Sequence, residues 1–320
     1  PDRPAGSAGG GNAARVPPRN AASMTNSGFD DAPAMTRRPF RIDLSSMSGL
    51  LLLLPTLALL FAVFIYPLAV VLSRSFTDPQ LGFANYAALW RSQAFRNILI
   101  NTFEIAAWTT AVCLLVGYPF SYQLARLPKR WAQPLLGLCM IPFFTAILAR
   151  LYAWTIILGD AGVINSYLTD WGVIQHPLSL LFNRLGVIIG MVHVMLPYMV
   201  IVLYSQMVSI DRSLIDAATS LGASPFVGFR RVFLPLSMPG TYAGTLLVFI
   251  ISLGFFVTPA VLGGGRDVTI ATFVRQEIGV LDWGAAAAMS MVLLLVTVGL
   301  FFVLDRIFGT ERILVGGLRK

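Results

Sequence analysis

Six stretches of this chain, near 49–72, 98–124, 134–158, 185–208, 237–262 and 285–308, are almost unbroken runs of apolar residues. A helix needs about 20 such residues to cross the hydrocarbon core of a bilayer, and all six runs are long enough. The prolines inside them (Pro55, Pro67, Pro119, Pro142, Pro197, Pro259) are compatible with membrane helices, where neighbouring groups satisfy the freed carbonyls. The fold class that follows is all-α, a polytopic membrane protein with six transmembrane helices. The balance of the chain agrees: 56% of the 320 residues are hydrophobic and 12% are charged, about half the charged share of an average soluble domain. The mean hydropathy is +0.75. No internal repeat of the kind that marks many secondary transporters is visible.

Several classes of chemistry drop out. The net charge of +8 would suggest nucleic acid in a soluble protein, but here the basic residues sit beside the apolar runs and report topology. No nucleic-acid partner is expected; membrane lipid is. Cys113 and Cys139 lie inside apolar runs, and His176 and His193 have no ligand partners at metal spacing. Lys129 and Lys320 are the only lysines, and neither follows a glycine-rich phosphate loop. With no nucleophile–base set and no metal cluster, the chain reads as a non-enzyme without a cofactor. If transport is driven by ATP, another chain must bind the nucleotide.

Residues 1–40 are rich in Gly, Ala, Pro, Asn and Arg, too poor in large apolar groups to bury a core, and read as a disordered segment. They lack the apolar core and cleavage site of a signal peptide. The segment does not begin with Met, and Met24 and Met35 both precede plausible starts. Residues 41–320 then form the membrane domain. Basic residues near the span ends divide unevenly. One side takes Arg37, Arg38, Arg41, Arg126, Lys129, Arg130, Arg212, Arg230, Arg231, Arg306, Arg312, Arg319 and Lys320; the other takes Arg74, Arg91, Arg96, Arg184, Arg266 and Arg275. The positive-inside rule makes both termini and the 209–236 loop cytoplasmic. Trp90, Trp171 and Trp283 fall on the opposite side, suited to an interfacial belt.

The 209–236 loop is built like a folded object. Asp211 or Ser213 can cap a helix start, and Asp216 stands three residues after Ser213, the spacing of a capping box. Gly222 is suited to the left-handed residue that ends a helix. Ser224-Pro225 reads as a second cap and first helical position, with Phe226, Phe229, Arg230 and Phe233 following at helical spacing. Helix, turn and second short helix are expected, with Pro235 and Pro239 marking the return to the membrane. On spacing alone this is also an ordinary connection between spans, since caps and glycine stops occur at most helix ends.

Asp216-Ala217-Ala218, Gly222-Ala223, Leu234-Pro235-Leu236 and Pro239-Gly240 resemble the "EAA" signature of permease subunits of binding-protein-dependent ABC importers, with Asp216 in place of the usual Glu and carrying the same charge. Ile141-Pro142-Phe143, Arg150 to Trp154, Gly162 to Asn165, and Phe256 to Pro259 with Leu262-Gly263-Gly264 resemble the spermidine/putrescine branch, as do Asn85-Tyr86 and Asn101-Thr102. The resemblance runs from about residue 50 to 308. It implies a type I ABC importer permease fold in a bacterial inner membrane, with the chain forming half of a translocation path. It also implies three partners: an ATP-binding cassette ATPase, a second homologous permease, and an extracytoplasmic solute-binding protein. The solute would be a polyamine or a similar small organic molecule. Asp216, Ala217, Ala218, Gly222 and Ala223 would form the ATPase-coupling loop, within 211–224. The other class of function is a stand-alone secondary transporter or channel, which leaves the 211–240 stretch without a task.

Candidates for the translocation path are fewer. Arg150 lies inside the third apolar run, where a bare charge costs at least about 2.5–3.5 kcal/mol, so it should pair or face water; Glu104 in the second run is the partner expected, and snorkelling to the outer surface is the alternative. Tyr152, Trp154, Tyr198 and Phe255 offer ring faces to an organic cation, or simply pack. His193 reads as a hydrogen-bonded packing residue rather than a proton relay.

Overall fold

The computed structural model describes residues 46–308; the expected disordered segment 1–40 and the C-terminal basic residues 312–320 lie outside the described residues. Two units are distinguished, Pro1–Leu57 and Ala58–Lys320. Of the first, only the opening of helix α1 (Ser46–Leu60) is described.

Among the described residues every regular element is helical. α1 passes through a five-residue π turn (Phe61–Ile65) into α2 (Tyr66–Thr77). Then come α3 (Ala84–Arg91), α4 (Gln93–Arg126), α5 (Lys129–Phe144), α6 (Ile147–Leu158), α7 (Val163–Asp170) and α8 (Arg184–Val208). The second half holds α9 (Ser213–Ser220), α10 (Pro225–Gly228), a π turn (Phe229–Phe233), α11 (Leu234–Gly254), α12 (Val257–Leu262), α13 (Ile270–Gly279) and α14 (Trp283–Phe308). Six helical segments are long and apolar enough to cross a membrane: Leu53–Thr77, Gln93–Arg126, Ile147–Asp170, Arg184–Val208, Pro225–Gly254 and Trp283–Leu304.

The count of six agrees with the apolar runs, but the third and fifth spans, Ile147–Asp170 and Pro225–Gly254, begin and end elsewhere than the runs 134–158 and 237–262. The third run, read as continuous over 134–158, is broken at Thr145 and Ala146, which are extended (ψ 141° and 128°). The Thr145 hydroxyl donates to the Pro142 carbonyl at 3.2 Å, a local bond that competes with the helical ladder. The fifth run, read as 237–262, breaks at Phe255 (ψ 122°); Pro259 has no N–H to offer the Phe255 carbonyl four residues back. At its other end this helix begins at Pro225 rather than near 237. The second short helix of the loop is therefore no separate piece: α10, the π turn and α11 run on as one helix.

The centre of the bundle is α8, packed between α4 and α11. Lipid is as apolar as leucine, so helices in a bilayer associate through close packing, favoured by small residues, rather than through a hydrophobic drive. Met191, Met195, Met199, Leu203 and Met207 recur at four-residue steps and are buried along one face of α8. Glycines let the neighbours approach. A Cβ on Gly117 of α4 would sit 3.1 Å from the Met199 side chain, one on Gly244 of α11 would sit 3.0 Å from Met199 Sδ, and one on Gly240 would meet Gln206 at 2.4 Å. A second cluster joins Leu89, Phe95, Ile98, Ile270, Ala288 and Met289, from α3, α4, α13 and α14.

Candidate functional site

The loop after α8 is organised by short-range bonds. Asp211 Oδ1 accepts the Ser213 amide at 2.9 Å, and this backbone bond, with that of the Ser213 hydroxyl, holds the fully exposed carboxyl below the usual carboxylate range. Asp211 thus serves the start of α9, and the capping box expected between Ser213 and Asp216 does not form: Arg212, in helical conformation (φ −64°, ψ −27°), precedes the helix without a side-chain cap. The stop does follow its residue type. Gly222 has φ +84°, its amide reaches the Thr219 carbonyl at 2.9 Å, and the Ala223 amide reaches Ala218 at 3.0 Å. Those two bonds define a Schellman motif, which a left-handed glycine makes available at low cost. The Ser224 hydroxyl then accepts the Val227 amide at 3.4 Å, with Pro225 in the first turn.

α9 buries none of its residues. Asp216 and Ala217 are exposed, and Ala218 and Ala223 half-buried. Leu214, Leu221 and Phe226 stand 47%, 89% and 67% exposed, on a loop that lies between two spans. Beneath them the loop is anchored. Arg212 Nη2 donates to the Ala125 carbonyl at 2.7 Å, Ile215 packs against the central cluster, and Tyr122 meets the Phe229 and Phe233 rings edge-on at 5.2 and 4.8 Å.

The path candidates separate into two groups. Trp154 Nε1 donates to His193 Nδ1 at 3.1 Å, joining α6 to α8, and Phe143 lies edge-on to Tyr198 at 4.7 Å. Trp154 and His193 also meet edge-on at 5.6 Å between ring centroids, so of the path candidates Trp154 is the one the structure brings onto His193. Tyr152 is 66% exposed, and Phe255 packs at the edge of the core beside the break after α11.

Glu104 belongs to the other group, which corrects the pairing expected for it. Arg150 donates to the Thr145 carbonyl at 3.0 Å, while its buried Nε has no hydrogen-bond partner among the described residues. The Glu104 carboxylate is held by Arg184 Nη1 instead. Arg184 also reaches Asn101 Oδ1 at 2.7 Å and Asp267 at 3.5 Å. Asn101 in turn donates to the Arg266 carbonyl at 2.7 Å, and Thr102 accepts the Ile270 amide at 2.9 Å. A cavity of about 730 Å³ opens beside Asn97, Asn101, Glu104, Arg184 and Gln276. Arg184 and Asp267 carried no signal as a pair in the sequence: 83 positions separate them, and Arg184 counted only toward topology.

The chain is 38% identical over 213 residues to the spermidine/putrescine transport system permease protein PotB of Escherichia coli, covering 66% of this chain and 77% of that one. It is 34% identical over 223 residues to the PotB of Haemophilus influenzae (69% and 78%). It is 28% identical over 277 residues to the putative 2-aminoethylphosphonate transport system permease protein PhnU of Salmonella typhimurium (85% and 93%). In three dimensions it matches a chain of a bacterial alginate ABC transporter, solved with a periplasmic protein bound to an alginate pentasaccharide, with a TM-score of 0.72 at 18% identity over 82% of this chain and 94% of that chain. A second alginate-importer chain gives 0.70 at 20% identity (84% and 96%). That likeness establishes the fold, the all-α one of those transporter chains. The family model for the binding-protein-dependent transport system inner membrane component matches residues 114–309. With more than half of the chain under that match, this protein belongs to the binding-protein-dependent transport system inner membrane component family: a multi-pass, non-enzymatic permease subunit of ABC importers.

Proposed function

We propose that this chain forms half of the path by which a polyamine, spermidine or putrescine, or a similar small organic solute enters the cell, and that residues 211–224 couple it to an ATPase subunit. Solute would arrive on an extracytoplasmic binding protein, and a second homologous permease would complete the path. The observation that carries the coupling role is α9 itself. Its first amide is held by Asp211, its end is closed by a Schellman turn, it is anchored through Arg212 and Ile215, and yet it buries no residue. A short helix offering Leu214 to solvent, with Leu221 at its end and Phe226 on α10 exposed beside it, is suited to a cleft of another protein, and Ala217 and Ala218 allow that surface to come close. The uneven distribution of arginines supports a cytoplasmic position for this loop, in the compartment that holds ATP.

The solute class rests on the names of the relatives at 34–38% identity. In such assemblies the delivered solute is selected largely by the binding protein, so the test uses the whole complex. A tag on this chain should bring down an ATPase subunit and a second permease from native membranes. ATP-loaded proteoliposomes of that complex, given its binding protein, should accumulate labelled spermidine or putrescine. Isolation without an ATPase would end the importer reading; ATP-driven uptake of another solute with no polyamine uptake would end the polyamine assignment alone.

A further inference from the structure

We propose that Arg212 is the positioning residue through which movement of α9 is passed to α4, and through α4 to the outward-facing 263–270 loop. The inference rests on the coupling role of 211–224 and adds the link by which that loop would act on the bundle. Arg212 is the last residue before α9, and its guanidinium donates at 2.7 Å to the carbonyl of Ala125, in the last turn of α4. That carbonyl belongs to the terminal set with no intrahelical donor, and the helix C-terminus favours a cation beside it. One side chain thus joins the first turn of the exposed helix to the end of a buried one. The contact is reinforced from the other side of the loop by Tyr122 of α4 against Phe229 and Phe233. A cavity of about 330 Å³ lies between them, lined by Tyr122, Ala125, Met207, Arg212, Ile215 and Asp216, and Arg212 makes the hydrogen bond that crosses beside it.

What gives the link reach is α4. Its 34 residues span about 51 Å at 1.5 Å per residue. Its far end is fastened by Asn101 to the Arg266 carbonyl, by Thr102 to the Ile270 amide, and by Glu104 and Asn101 to Arg184. A helix tied to the loop at one surface and to 266–270 at the other transmits displacement between them without a chain of side-chain rearrangements.

The test uses the complex purified from native membranes through a tag on this chain, with Cys113→Ala and Cys139→Ala as background and Gly265→Cys as reporter. Gly265 is exposed, with φ outside the left-handed range and nothing within 4 Å of an added Cβ. The readouts are the amount of ATPase subunit retained and the change in maleimide labelling rate at 265 when ATP, Mg²⁺ and vanadate are added. Arg212→Ala should retain the ATPase subunit while the nucleotide-dependent change shrinks about fivefold or more, the lower range of allosteric coupling. Arg212→Lys, whose ammonium still donates to a carbonyl, should restore most of it. An unchanged response in Arg212→Ala, or a Lys variant as impaired as Ala, overturns the proposal. Loss of the ATPase subunit from Arg212→Ala also overturns it, by making Arg212 part of the docking surface. Gly222→Asp serves as the control for the underlying reading: if that variant keeps both the ATPase subunit and the response, the coupling role of the loop itself fails.

Discussion

Glu104 on α4 and Arg184 at the start of α8, 80 residues apart in the chain, hold each other across one end of the bundle. Both side chains remain substantially exposed, 44% and 40%, so the pair should behave as a partly solvated bridge. A double-mutant cycle of Glu104→Gln and Arg184→Gln, followed by denaturant-induced unfolding in detergent, should return a coupling of about 1 kcal/mol. A value of about 3 kcal/mol or more would mark a buried pair, and strict additivity would mean no direct interaction.

Gly222 is expected to tolerate Asn and reject Asp. At φ +84°, with open space around an added Cβ, any side chain incurs only the left-handed strain, about 1 kcal/mol. Asn adopts that conformation more readily than other residues. Asp adds a negative charge at the C-terminal end of α9, which the helix dipole disfavours. Gly222→Asn should therefore keep nearly wild-type uptake, whereas Gly222→Asp should reach the membrane in normal amounts and lose the ATPase subunit on purification. Co-purification and uptake measured side by side decide it.

Arg150 should matter to transport more than to insertion. Among the described residues its bonded partner is the Thr145 carbonyl at the break between α5 and α6, so Arg150→Leu removes a hydrogen bond and relieves an intramembrane charge at once. Membrane levels are expected to match wild type while solute uptake falls about tenfold or more, an effect of at least ~1.4 kcal/mol. Normal uptake in Arg150→Leu would reduce the residue to a snorkelling side chain.

Orientation is testable at two exposed positions, Asp170 and Ser213. With both native cysteines replaced, an impermeant thiol reagent added outside intact cells (outer membrane permeabilised) should label Asp170→Cys and spare Ser213→Cys. The reverse pattern would invert the topology.

What could be read from residues alone was whatever is settled within one or two turns of chain. Gly222 and Ser224-Pro225 announced their backbone geometry because a left-handed stop and a cap depend on the residue itself. The six apolar runs announced spans for the same reason. The break at Thr145 was hidden because a threonine hydroxyl bonds a backbone carbonyl as readily within a helix as at its end. The fusion of α10 to α11 was hidden because Pro235, placed in the first turn of α11, interrupts nothing once the preceding π turn has relaxed the ladder. Arg184 was hidden for a different reason. Three residues from three helix ends and loops meet there, and nothing about Glu104 on its own prefers Arg184 over Arg150 until the chain is folded.

Met199 sits between Gly117 on one side and Gly244 on the other, and the polar contacts crossing the same faces of α8 are long: Ser121 to the Val200 carbonyl at 3.4 Å, Cys113 Sγ to Val192 at 3.8 Å, and Gln206 to the Leu236 carbonyl at 3.4 Å. Unbranched thioethers running over bare backbone make a lubricated seam, since methionine changes rotamer where a branched side chain would jam. Small shear of α8 against its two neighbours then meets little resistance along most of its length. Motion there is checked at the rim, by the grip of Arg184. A valine at 244 would turn the bearing into a lock without touching a single polar group.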